Sequence, residues 1–131
     1  MQTHSKSEVA VAALLRAKEC FQAGDWISST ILAGAAQRVL RDLCEARGIP
    51  TTIGILSAYL GHKVCDVHKT ITSSYNGMKH AKTDPDEDVS VSSAEPQALF
   101  VMAAADLARL NPPYAPAVGE VLNFAKSFNT D

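Results

Sequence analysis

Between Tyr75 and Asp88 the chain reads Tyr-Asn-Gly-Met-Lys-His-Ala-Lys-Thr-Asp-Pro-Asp-Glu-Asp. This stretch is the densest set of side chains suited to chemistry or binding: Asn76, Lys79, His80, Asp84, Asp86 and Asp88. His80 is the natural acid or base, because an unperturbed imidazole titrates near pH 6.5. Lys79 brings a cation, and the Asn76 amide both donates and accepts hydrogen bonds. Together they could line a cleft that meets a polar or anionic ligand. The same residues also fit a solvated helix face, and the sequence leaves both readings standing.

The element that must position them is a helix expected over 62–81. At roughly 100° per residue with Met78 at zero, Asn76 falls near 160°, Lys69 near 180°, His80 near 200° and Ser73 near 220°. Thr72 and Lys79 flank this strip. Asn76 and His80 are four apart, so they are neighbours on the helix surface. The apolar stripe Val64, Val67, Ile71 and Met78, with Ser74 filling its gap, lies opposite and marks the core side. Lys79, His80 and Lys82 suit a helix C-terminus, which carries partial negative charge. Asp84 is expected to fold back and favour the protonated form of His80. That would raise its pKa, and the stability gained would fade as pH rises through the folded value.

Two apparent metal patterns fail on geometry. His62, Cys65 and His68 rise about 4.5 Å per three-residue step on a helix, whereas one tetrahedral ion needs its ligand atoms roughly 2.0–2.3 Å away. Asp84, Asp86 and Asp88 resemble the start of a calcium loop, but Val89 stands where that loop needs glycine, and Pro85 intrudes. A solvated turn is expected there. No glycine-rich phosphate loop and no Gly-x-Ser-x-Gly motif occurs. No metal and no cofactor are expected.

The remaining elements also read as helices. Ser5 and Glu8 have capping-box spacing before a helix over 7–23 with the stripe Ala10, Leu14, Ala17 and Phe21. Gly24 stops it, and Asp25 caps a second helix over 26–47. That helix places Leu32, Ala36, Val39 and Leu43 on one face, with Leu40 beside them. Its run Ala33-Gly34-Ala35-Ala36 would let another helix approach closely, within one copy or between two. Thr51 or Thr52 caps a short helix over 53–60, and Gly61 ends it. Val89 to Val91 read as a short extended segment. Ser92 and Glu95 form a second capping-box pair before a helix carrying Phe100, Ala103, Leu107 and Leu110, and Pro96 suits its first turn. A last amphipathic helix spans about 117–128. The expected fold is an all-α bundle of four long helices and two short ones.

The chain has 131 residues, 47% of them hydrophobic and 20% charged. This fits a single all-α domain over 1–131, with its core over about 5–128. Twelve basic against fourteen acidic residues give a formal charge of −2, which argues against a general basic footprint for nucleic acid and leaves room for a local basic face. Cys20, Cys44 and Cys65 match no zinc or disulfide framework and read as small buried residues of a reducing compartment. No signal-type apolar core opens the chain. No apolar run reaches the roughly 18 residues that span a bilayer. A cytoplasmic protein without a membrane partner is expected.

An all-α bundle with Asn76-Gly-Met-Lys79-His80 near the end of a long helix resembles the HEPN-like superfamily. The stretch Ile31-Leu-Ala-Gly-Ala-Ala36, followed by Lys79-His80-Ala81 and Asp84-Pro85-Asp86, is similar to small bacterial members of it. The resemblance spans about residues 5–110 and implies a homodimer whose motif helices line a shared cleft. It also implies one of two activities. Some members are metal-independent RNases, and others only bind RNA, nucleotides or proteins. The RNase signature pairs an arginine with a histidine four to six residues later. Here only His80 is present, and Ser73, Ser74 and Tyr75 hold the arginine positions. A histidine without a cation to stabilise phosphate charge is half a mechanism. The expectation is therefore a non-catalytic homodimer that binds through Lys69, Ser73, Asn76, Lys79, His80 and Asp84. The alternative is an RNase using His80.

Overall fold

The computed structural model describes residues 1–79, 85–112 and 115–128, with the backbone alone at positions 68, 70, 71, 74, 79 and 115. Among these residues the chain forms helices and no strand: α1 Lys6–Gln22, α2 Trp26–Ala46, α3 Thr52–Leu60, α4 Val64–Ile71, α5 Ser73–Lys79, α6 Ala94–Leu110 and α7 Ala115–Ser127. The all-α expectation holds. The segment over 87–92 before α6 has no regular secondary structure.

The first two helices begin as their sequences dictate. The Ser5 hydroxyl accepts from the Glu8 amide at 3.1 Å and donates to the Glu8 carboxylate at 3.2 Å, closing the capping box. The Asp25 carboxylate accepts from the Ser28 amide at 3.1 Å and opens α2. Between them Gly24 takes φ +77°, a left-handed conformation that closes the turn. Ala10, Leu14 and Ala17 of α1 are buried against Ala33, Ala36, Leu40 and Cys44 of α2. This is not quite the α2 face expected. Leu32, Val39 and Leu43 are only half-buried. The helix packs against both α1 and α6, so its most buried side lies between the two contacts. Helices α6 and α7 complete this core with Leu99, Phe100, Ala103 and Leu107, and with Val118, Val121 and Ala125. Phe21, Phe100, Phe124 and Phe128 seal one side of it edge to face. Phe100 and Phe124 lie 5.1 Å apart at 86°, and Phe124 and Phe128 lie 4.9 Å apart.

The helix expected over 62–81 is two helices. It starts at Val64 and breaks at Thr72. The β-branched run Thr70-Ile71-Thr72 and the serines after it have weak helix propensity, and hydroxyl side chains favour caps and turns over helix interiors. Val67 is buried with Ile53 of α3 and Met102 of α6, but Val64 is exposed rather than part of the core stripe. The second capping box does not form either. Ser92 accepts from the Ala94 amide at 3.3 Å, while Glu95 turns away to α5. Of the three free thiols only Cys44 is buried; Cys20 is half-buried and Cys65 exposed. Among the described residues no helix is long and apolar enough to cross a membrane.

Candidate functional site

The predicted strip is divided between two helices. Lys69 is exposed on α4, whereas Ser73 and Asn76 belong to α5, so one helical wheel does not relate them. Thr72, expected on the polar flank, is 1% exposed. Its burial follows from the break, because its hydroxyl accepts from the Asn76 side-chain amide at 2.8 Å and its carbonyl from the Asn76 backbone at 2.8 Å. Lys79 closes α5. The Lys79 side chain, His80, Asp84 and the expected His80–Asp84 pairing lie outside the described residues.

Seven residues are too few for a helix to persist unaided, and α5 is fastened from three directions. The Glu95 carboxylate of α6 accepts from the Tyr75 amide at 3.2 Å and from the Ser73 hydroxyl at 3.4 Å. A negative charge at a helix N-terminus is favourable because it meets unpaired N–H groups and the positive end of the dipole. The Tyr75 ring lies on Gly34 of α2, so tightly that a β-carbon there would come within 2.7 Å of it. Gly77 lies beneath Val89 from the segment before α6, where a β-carbon would approach to 3.2 Å. The small stretch on α2 thus serves a close contact within one copy at Gly34.

A second polar cluster was not read from the sequence. Asp106, fully buried on α6, accepts through one carboxylate oxygen from the Thr52 amide at 2.7 Å and the Thr52 hydroxyl at 2.8 Å. The Arg109 guanidinium donates to the same oxygen at 3.0 Å, to the Thr52 hydroxyl, and to the Pro50 carbonyl at 2.9 Å. The other Asp106 oxygen is buried without a hydrogen-bond partner. The Cys44 thiol points at the Asp106 carbonyl, 3.7 Å away, and burial together with the nearby Asp106 charge pushes it above its usual value. The available signal was an acidic residue inside the apolar run Leu99–Leu110 with an arginine three residues on. A charge in such a run must find a buried partner.

Asp106 and Glu95 are eleven residues apart, so at about 100° per residue they share one face of α6 with Met102 between them. Each carboxylate receives the N-terminus of a short helix, Asp106 that of α3 and Glu95 that of α5. These contacts build a scaffold, and among the described residues no three His, Cys, Asp or Glu side chains gather closely enough to hold a metal ion. A separate groove of about 520 Å³ runs between α1 and α2, with an apolar lining of Val9, Val39, Leu43 and Ala46 and the charges of Lys6 and Asp42. His4 lines it too, but is tied to Glu8 at 3.1 Å. Comparison with family models, curated proteins and solved structures returned no significant match.

Proposed function

We propose that this chain is a HEPN-like helical protein that binds a partner without catalysis, acts as a homodimer, and meets RNA, a nucleotide or another protein with the end of α5 around Asn76, Lys79 and His80. The observation that carries the non-catalytic reading is the position of Glu95. Where the RNase signature would present an arginine, the Tyr75 amide and the Ser73 hydroxyl face a carboxylate. Those two donors are already engaged by a carboxylate, and among the described residues no cation stands there to stabilise the charge that develops on phosphate in the transition state, so the arrangement works against catalysis at this turn. It supports a different use, since pinning α5 to α6 fixes this short helix and lowers the ordering cost of binding on it.

The test is incubation of purified protein with a fluorescent structured RNA, followed by both gel analysis and anisotropy. Retarded but intact RNA, with affinity weakened at least several-fold by Lys79→Ala or His80→Ala, is the expected result for an RNA partner. Cleavage that disappears in His80→Ala would overturn the non-catalytic reading. If RNA does not bind, the same variants are compared for capture of nucleotides and proteins. Indifference of every interaction to all three of Asn76→Ala, Lys79→Ala and His80→Ala would overturn the assignment of the surface.

A further inference from the structure

Of the four asparagines, Asn76, Asn111, Asn123 and Asn129, Asn76 alone precedes a glycine. That pair has chemistry of its own. A glycine nitrogen has no neighbouring β-carbon to obstruct it. Once it gives up its proton to base, it can attack the Cγ of the preceding asparagine. The new N–Cγ bond closes a five-membered imide. The Cγ–Nδ2 bond breaks, and the nitrogen takes up a proton and leaves as ammonia. Water then adds to either imide carbonyl, and the ring opens to aspartate or to isoaspartate, in which the backbone runs through the side chain. Water is the only co-reactant, and nothing is oxidised or reduced.

Helix α5 holds the pair in the wrong geometry for that closure. The ring needs a free Gly77 nitrogen, an Asn76 ψ well outside the helical range, and a side chain turned onto that nitrogen. In α5 the helical ladder directs the Gly77 N–H to the Ser73 carbonyl. The Asn76 backbone N–H donates to the Thr72 carbonyl at 2.8 Å. The Asn76 Nδ2 donates to the buried Thr72 hydroxyl at 2.8 Å, which draws the side chain back along the helix and away from Gly77. Packing also argues for the glycine, since a β-carbon at Gly77 would come within 3.2 Å of Val89. The contact that favours glycine there therefore also makes Asn76 reactive. The protection is only as good as the helix, and α5 leans on Glu95.

We infer that Asn76-Gly77 is a site of spontaneous deamidation gated by α5. It is closed while Glu95 and Thr72 hold the helix and open in each excursion that frees it, so conversion proceeds from the locally opened fraction of molecules. The change is one-way. Aspartate removes the Nδ2 donor that meets Thr72. Isoaspartate lengthens the backbone by one atom, so the helical ladder cannot close again in register. The modified chain then loses the fixed place of α5 against α6.

Timed incubation of the whole chain at mildly alkaline pH, followed by tryptic digestion and mass spectrometry, tests this. The tryptic peptide over 70–79 contains Asn76, and its gain in mass and its splitting into aspartyl and isoaspartyl forms report conversion. The same peptide made synthetically gives the rate without the fold. The variants are Glu95→Ala, which removes the tie of α5 to α6, and Thr72→Val, which keeps the shape but removes the Asn76 acceptor. Circular dichroism verifies that each is folded, and Thr72→Val carries the test alone if Glu95→Ala is not. Wild type should convert at least roughly tenfold more slowly than the free peptide, and each folded variant at least about threefold faster than wild type. Acceleration in one folded variant alone assigns the gate to that tie. Wild-type conversion as fast as that of the free peptide, or no acceleration in any folded variant, overturns the inference.

Discussion

The pair α1–α2 and the segment α3–α5 are built on different principles. Each long helix caps its own start with a residue one step before it, Ser5 or Asp25, and buries a continuous apolar stripe. Two of the three short helices, α3 and α5, depend on α6. Thr51 caps α3 locally, but α3 and α5 each also direct an amide of their first turn, that of Thr52 or Tyr75, to a carboxylate of α6, Asp106 or Glu95. The long helices are stabilised mainly by area removed from water. The short ones add a few directional contacts whose loss leaves buried groups unpaired.

That contrast predicts different responses to substitution. Leu40→Ala, in the fully buried stripe of α2, should lower the unfolding free energy by about 2–5 kcal/mol and loosen the whole bundle. Asp106→Ala removes no large apolar group, yet it should cost about 3 kcal/mol, because Arg109, the Thr52 hydroxyl and the Thr52 amide lose a shared acceptor. Urea denaturation measures both, and an Asp106→Ala loss below about 0.5 kcal/mol would remove the directional account of α3.

A smaller effect is expected where the two regions touch. Gly34→Ala gains about 1 kcal/mol of helix propensity, but its methyl group meets the Tyr75 ring at 2.7 Å, and overpacking costs about 1–3 kcal/mol. A net destabilisation should follow, and combining it with Tyr75→Leu should recover part of it. Stabilisation by Gly34→Ala alone would show that the contact yields easily.

The smallest effect concerns a local cap. Hydrogen bonds from Ser28, the side chain first and then the amide, hold the Asp25 carboxyl below its ordinary value of 3.8. A depressed folded pKa means the cap contributes fully above that ordinary value and is lost as pH falls through the folded one. NMR titration of Asp25 should show the depression, and Ser28→Ala should reduce it. A titration at or above the ordinary value would contradict the cap.

Much of the fold was legible because periodicity and capping are local signals. Ala10, Leu14 and Ala17 are buried as spaced, and Ser5, Asp25 and Thr51 cap the helices they precede. What could not be read is non-local. Ser92 and Glu95 carry the spacing of a capping box, but Glu95 reaches a helix twenty residues earlier instead. The stripe Val64, Val67, Ile71 and Met78 ran straight through Thr72, where weak propensity and the ties to Asn76 and Glu95 break the helix. The candidate strip was drawn on that unbroken helix, so it was the least transferable part of the reading. Lys69 and Asn76 do not share one axis, and Asn76 is engaged with Thr72.

The central claim is that α6 holds the α5 surface in place through Glu95, and amide hydrogen exchange on wild type and Glu95→Gln measures it most directly. Protection across α5, beginning at the Tyr75 amide, should fall roughly tenfold in Glu95→Gln, equivalent to about 1.4 kcal/mol, while protection in α1 and α2 is unchanged. Equal protection of α5 in both proteins would contradict it.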